Sequence, residues 1–296
     1  MLKRILFDNQ IFRRQPYGGI SKYFTELLTG IKNYPEFEIL PEKFYSDNVN
    51  LVINNLTRFN EFRSIIDFPG KPIIEKVIYR WEIIKTRDRL KKGDFDIFHP
   101  TYYIPYFASA LPANKKLVLT VHDMIHENYY NHLYEHIIED AAWKQTLIPR
   151  ADHIITVSQF TKNQVLKFFP EIDESRISVI HHGIRPYAGK SNKQLDLPEK
   201  YILYVGIRKH YKKFPWLAEA LGDYIKKNGI TLLCAGAKDF DPYEKEMLDR
   251  WNLGEQVKYF FYVIQLYTNA VISNPVTHLV IYQLATNNNA GCSSFT

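Results

Sequence analysis

The sequence predicts an α/β fold of two doubly wound parallel-sheet domains, the second incomplete, and three observations carry that reading. Short apolar runs that stop at a glycine or a polar turn alternate with segments whose apolar residues recur at helical spacing, from Arg4 to Phe261. A polar stretch containing Pro186 and Pro198 interrupts the alternation once. Residues 201–214, YILYVGIRKHYKKF, then restart it as an apolar strand, a glycine turn and a basic loop, and Pro215 opens the next helix. The expected domains are residues 1–185 and 201–296, joined by a linker at 186–200.

Residues 4–7 read as the first strand and 8–19 as a loop, after which Ile20, Phe24, Leu27, Leu28 and Ile31 share one helical face. A second strand fits 38–45 in spite of Pro41, and polar, aperiodic 47–70 reads as a loop with short helical turns. Over 73–92, Ile74, Val77, Ile78, Trp81 and Ile84 repeat at helical spacing among Arg80, Lys85, Arg87, Arg89, Lys91 and Lys92. Two readings of this basic helix stand: it covers a sheet and shows its charges to water, or it makes peripheral contact with an anionic membrane.

Residues 96–99 and 116–121 read as short buried strands, 133–149 as a helix and 151–157 as another strand. Ser158 then fits the N-cap of a helix over 159–169, and 177–180 completes the first domain. In the second domain a helix over 215–228, a strand over 230–235, a helix over 243–253 and a strand over 257–261 keep the alternation regular.

Of the 296 residues 46% are hydrophobic and 24% charged, enough for a core and for solubility in water. Lys and Arg exceed Asp and Glu by 38 − 32 = 6. That excess favours anionic ligands or an anionic membrane face and is too diffuse for nucleic acid. Cys234 and Cys292 lack metal-ligand spacing and imply a reducing compartment, and the pair His181-His182 lacks a third ligand for zinc. MLKRILFDNQ does not read as a signal peptide and no apolar run reaches about 18 residues, so the expected location is the cytoplasm, extending to the inner face of the membrane.

Three turns carry candidate chemistry. Gly206 ends a strand without a Cβ to obstruct a ligand, the following helix offers free N–H groups, and Arg208, Lys209, His210, Lys212 and Lys213 add charge. This suits a phosphate or diphosphate, or it is an ordinary strand-to-helix turn with solvated lysines. Tyr17-Gly18-Gly19 makes a second glycine turn at a helix start, without the spacing G-x-G-x-x-G. His122-Asp123 closes KLVLTV at a strand's carboxyl end, where open α/β sheets bind ligands, and a structural histidine fits there too.

Gly206, Arg208, Tyr211, Lys212 and Phe214 resemble the GxRxxYKxF signature that opens the donor-binding domain of retaining GT-B glycosyltransferases of family four. YGGIS at 17–21, TVHD at 120–123 and VSQFTK at 157–162 resemble three further turns of that family. The resemblance implies a GT-B fold of two Rossmann-like domains. It also implies metal-independent, retaining transfer of a hexose from a GDP- or UDP-linked sugar to a glycan or lipid-linked acceptor. No cofactor is implied, since the nucleotide sugar is a substrate.

By position, Arg208 and Lys212 would hold the diphosphate beside Gly206, and Tyr17, Gly18 and Gly19 would approach it from the other domain. His122 and Asp123 would lie near the transferred sugar and Ser158 would line the cleft. His122 would not be a general base, because in the family's favoured account the leaving phosphate oxygen takes the acceptor proton.

The resemblance stops near Phe261. A glycine-rich loop with two glutamates should follow, yet residues 262–296 hold no acidic residue. Early termination and a naturally short variant whose tail forms improvised strands both account for this, and the second domain is expected to be about half built, a half sheet leaving one edge strand unpaired. A non-catalytic remnant that keeps only acceptor or partner binding is the alternative function, and an epimerase of the same architecture is a third.

Overall fold

The computed structural model describes residues 2–58, 71–128, 135–183, 197–208, 212–235, 239–260 and 279–281. Packing divides the chain between Gly183 and Ile184 into two compact units. The linker expected at 186–200 lies mostly outside the described residues, as do Lys209, His210, Tyr211, Cys292 and most of the tail.

The first unit runs β1 (Lys3–Phe7), α1 (Gln10–Arg14), α2 (Gly19–Ile31), β2 (Phe37–Leu40), α3 (Val49–Ile53), α4 (Lys71–Lys92), β3 (Ile97–His99), β4 (Lys116–Val121), α5 (Ile125–Asn128), α6 (Glu135–Leu147), β5 (His153–Thr156), α7 (Gln159–Phe168) and β6 (Ile177–Val179). Its six strands pair in the order β2-β1-β3-β4-β5-β6, all parallel, with Ile5 opposite both Ile39 and Ile97 and Val118 opposite His153. Parallel strands are covered on both faces, and the side chains comply: Leu6, Phe7, Phe98, Leu119, Val121 and Ile154 are buried, packed with Phe24 and Leu28 of α2 and Val165 of α7. β1 has β2 on one side and β3 on the other, so the winding reverses there and the carboxyl ends of β1 and β3 form the switch point.

Three stretches differ from the sequence reading. The loop expected over 8–19 contains α1, because Ile11 and Phe12 are drawn into the core while Asp8 anchors the turn before them. The Asp8 carboxylate accepts from Thr101 N and Thr101 Oγ1, both at 2.8 Å, from Gln10 Nε2 at 2.6 Å and from Tyr106 OH at 3.1 Å. The second strand stops at Leu40 because Pro41 has no N–H for the ladder, and beyond it Phe44 makes only an isolated bridge to Thr57. On α4, Ile74, Val77, Trp81 and Ile84 of the expected apolar row are exposed, while Tyr79, Glu82, Ile83 and Thr86 line a small cavity beside Asn9 and Leu90 enters the core.

The second unit runs β7 (Tyr201–Val205), α8 (Phe214–Asn228), β8 (Thr231–Ala235), α9 (Pro242–Arg250), β9 (Val257–Tyr259) and β10 (Leu279–Ile281). Its parallel order is β10-β7-β8-β9. Ile202, Tyr204, Leu232 and Cys234 meet Phe214, Ala218 and Ile225 of α8 and Met247 and Leu248 of α9 in its core. The tail supplies β10, with Leu279 opposite Ile202, so β7 lies inside the sheet and the edges are β9 and β10.

His99 ties β3 to β4 through Nε2 and Thr120 Oγ1 at 2.9 Å, with its ring packed on Phe7 and Phe24. Burial, with His122 adding, holds its pKa down to about 3, against about 6.5 in an unfolded chain. As the pH falls the unfolded form takes the proton first, so this stabilisation is complete above about pH 6.5 and is lost below it. Glu82 acts in the opposite sense, because burial raises its carboxyl from 4.5 to about 7. We predict that His99→Phe removes about 2 kcal/mol of the stability loss between about pH 7.5 and about pH 5. Urea unfolding of both proteins at the two pH values measures this, and identical pH dependence contradicts it.

Candidate functional site

In the first unit, side chains converge where β4 ends. The His122 N–H donates to Tyr103 OH at 3.2 Å, and its carbonyl accepts from Thr161 Oγ1 at 3.4 Å. Its ring meets Tyr23 of α2 edge-on at 5.1 Å and stacks on His182 at 6.2 Å with 7° between planes. His122 Nε2 is buried with no hydrogen-bond partner. Burial, helped by His182 and Lys144 and opposed by Asp123, holds this imidazole down to about 3. The ring is therefore neutral at physiological pH. It can exchange one hydrogen bond with a ligand through Nε2, but as a base it is far too weak to carry a proton.

Asp123 accepts from Ile125 N at 3.1 Å and so starts α5, and its carbonyl accepts from Lys144 Nζ at 2.8 Å. Lys144 is fully buried and also reaches Glu127 Oε2 at 3.0 Å and Asp123 Oδ1 at 3.9 Å. Alongside, Asp140 accepts from Tyr102 OH at 2.8 Å and Arg14 Nη2 at 3.3 Å, with His126 Nε2 at 3.7 Å. Burial raises the Glu127 carboxyl and lowers the His126 imidazole. His126 Nδ1 and Glu127 Oε1 share with His122 Nε2 the state of buried polar atoms without partners.

Sequence reasoning overlooked Lys144, Glu127 and Asp140. The signal was available: Lys144 lies three residues from Ala141 and from Leu147, both buried, so it occupies the inward face of α6.

The other sequence-predicted residues of this unit fall nearby in the chain's turns. Ser158 Oγ accepts from Thr161 N at 3.1 Å and caps α7, the helix that also brings Thr161 to His122. Gly18 precedes α2 in extended backbone, and a Cβ there would collide with the Gln15 amide that accepts from Ser21 N at 3.3 Å. The space beside Gly19 is open, and Tyr17 is exposed.

In the second unit, Gly206 takes φ +137° and donates to Ala235 O at 2.8 Å, with open space where a Cβ would stand. The reading that Arg208 offers its fork to a diphosphate meets a competing partner. Arg208 is buried, Nε and Nη2 lie 3.1 Å from Glu244 Oε1 and Oε2, and the guanidinium stacks 4.5 Å from the Phe240 ring. That edge points into its own domain because Glu244 is held in place: Glu244 Oε2 accepts from Asp241 N, and Asp241 Oδ1 from Glu244 N, both at 2.9 Å, the capping box of α9. The pattern D-P-Y-E at 241–244 carries that box in the sequence and was read only as the start of an amphipathic helix. Lys212 is half-buried and Lys213 exposed, and the first turn of α8 holds no acidic residue. Among the described residues no three His, Cys, Asp or Glu side chains form a group that could hold a metal ion.

Residues 47–187 match the model of Glycosyltransferase Family 4. No curated protein matches the chain. Among solved structures it is similar to S. aureus MnaA in complex with UDP, at 10% identity and TM-score 0.58 over 95% of this chain and 74% of that one. It is also similar to the lipopolysaccharide outer core galactosyltransferase WaaB in its apo form, at 13% identity and TM-score 0.51 over 92% and 71%. A third likeness is to the UDP-GlcNAc 2-epimerase of Methanocaldococcus jannaschii, at 12% identity and TM-score 0.50 over 91% and 75%. The fold, a six-stranded Rossmann-like sheet with a partial second parallel sheet, is of the GT-B type.

Proposed function

We propose that the chain is a glycosyltransferase, moving a hexose from a UDP- or GDP-linked donor to a glycan or lipid-linked acceptor with retention of configuration and without a metal ion, in the cytoplasm. The observation that carries this reading is the Glycosyltransferase Family 4 match over residues 47–187, since the fold by itself is shared with an epimerase.

Breaking the bond to the diphosphate leaves negative charge on a phosphate oxygen as positive charge grows at the anomeric carbon, so the protein must offer fixed positive charge on the phosphate side. The turn after β7 supplies it: open space at Gly206, the cations Lys212 and Lys213, and the start of α8 with no acidic side chain to offset its dipole. Arg208, its charge balanced by Glu244 in a buried pair, braces the turn from within the second unit. The leaving oxygen takes the acceptor hydroxyl's proton, and neutral His122, flanked by Asp123, hydrogen-bonds a sugar hydroxyl through Nε2 on the acceptor-binding unit. Tyr17, Gly18, Gly19 and Ser158 shape the turns around it.

A second reading, a non-catalytic chain that keeps only acceptor or partner binding, is favoured by one observation: the Nε and Nη2 edge of Arg208 is engaged by Glu244.

UDP or GDP should raise the melting temperature, and the matching nucleotide hexose should be hydrolysed slowly without acceptor. No response to any donor would reject the first reading and favour the second, and an isomerised sugar would indicate epimerisation. Glu244→Gln should destabilise the fold by about 3 kcal/mol, because it leaves a buried guanidinium without its counter-charge. Replacing both partners, Arg208→Met with Glu244→Met, should restore most of that stability yet weaken UDP binding by about tenfold or more. Unaltered UDP affinity in a folded double variant would show that Arg208 serves the fold alone.

A further inference from the structure

Lys144 is the buried charge that the sugar-transfer chemistry leaves without a part. It lies in the last turn of α6 on the inward face, between Ala141 and Leu147, both buried. An apolar side chain would fill that space at lower desolvation cost, and an ammonium is tolerated there only where its donors find acceptors. The side chain is 0% exposed, and its acceptors belong to the turn after β4: the Asp123 carbonyl at 2.8 Å and Glu127 Oε2 at 3.0 Å, with Asp123 Oδ1 in ion-pair range at 3.9 Å.

The grip extends to both residues of His122-Asp123. Lys144 Nζ lies 5.3 Å from the centre of the Tyr103 ring, and Tyr103 OH accepts the His122 N–H at 3.2 Å. From the other side Thr161 Oγ1 donates to the His122 carbonyl at 3.4 Å, and Ile125 N donates to Asp123 Oδ1 at 3.1 Å. Exposure rises outward along the cluster, from 0% at the Lys144 side chain to 4% at Glu127 and 42% at Asp123. A sealed cation thus stands behind a carboxylate that meets solvent, next to His122 Nε2, which is buried without a hydrogen-bond partner.

We propose that Lys144 is a positioning residue for the sugar site of the first unit. It holds Asp123 through the carbonyl and His122 through Tyr103, so that His122 Nε2 and the Asp123 carboxylate are presented together to a sugar hydroxyl, and it touches no substrate itself. Placement of reacting partners to within a fraction of an ångström is what such a brace supplies. Its part in catalysis rests on the sugar-transfer reading, whereas its hold on the turn does not. The competing view, that Lys144 only neutralises Glu127 inside the fold, makes the opposite predictions.

The test compares two variants of the full chain. Lys144→Met with Glu127→Met removes both charges at similar volume and should still fold, and Glu127→Gln keeps the lysine on Asp123 with an amide oxygen beside it. Exchange of the His122 amide hydrogen, read by NMR, should speed up at least about tenfold in the double variant and less than about threefold in Glu127→Gln, while the amides of β4 and β5 keep wild-type rates. With a nucleotide sugar that the wild type turns over, the double variant should lose at least about tenfold in kcat at unchanged donor KM, and Glu127→Gln should keep most of it. Wild-type exchange at His122 or wild-type kcat in the folded double variant overturns the proposal. Equal losses in both variants also overturn it, because the effect then belongs to Glu127. If the double variant does not melt cooperatively, the wild type decides: a Lys144 ammonium that exchanges at least about tenfold more slowly than exposed lysines supports the hold on the turn, and one that exchanges like them overturns it. Absence of turnover by the wild type rejects the transfer reading and leaves the exchange rates to decide the positioning.

Discussion

In a parallel sheet every strand is hydrogen-bonded by neighbours running the same way, so all carboxyl ends gather on one edge and the helices must return along the faces. That constraint organises both units. In the first it collects Asp8, Thr101, His122 and Ser158 on one rim. In the second it places Gly206 beside Ala235, with Arg208 and the start of α8 following. The apolar interiors of the strands are interchangeable with those of many folds, and the rims are where this chain differs from them.

Each rim buries charge, and each buried charge is held by several partners at once. Asp8 takes two bonds from Thr101, two from Gln10 and one from Tyr106, Lys144 is shared by Asp123 and Glu127, and Arg208 is shared by Glu244 and the Phe240 ring. A buried pair of this kind adds little net stability over well-packed apolar residues, but losing one member is costly. Such groups hold neighbouring turns in one arrangement. Thr101 follows β3, Asp123 follows β4 and Glu244 begins α9, so each of these separate clusters ties together turns that are apart in sequence.

Much of the fold was legible because the alternation of short apolar runs with helical spacing reports the parallel architecture directly, and the regular stretch from Tyr201 to Val257 was read within a residue or two of its strands. α1 was hidden because Asp8, Asn9 and Gln10 look like a polar loop until Thr101, more than ninety positions on, supplies their partner. The direction of α4 was hidden for a related reason: spacing reveals which residues share a face but not whether that face is turned in, and here Asn9 and Tyr45 draw Glu82 inward. For the site, the strand-end positions of His122 and Gly206 could be read from glycine and strand signals. The engagement of Arg208 with Glu244, 36 positions later, is a tertiary pairing with only the D-P-Y-E box to announce it.

The central claim is that a nucleotide diphosphate is held at the turn after β7. Hydrogen–deuterium exchange of the full chain with and without UDP tests it most directly. The account predicts slowed exchange confined in the second unit to the segment around Gly206 and Arg208 and the first turn of α8. Unchanged exchange there, with or without protection elsewhere, would contradict it.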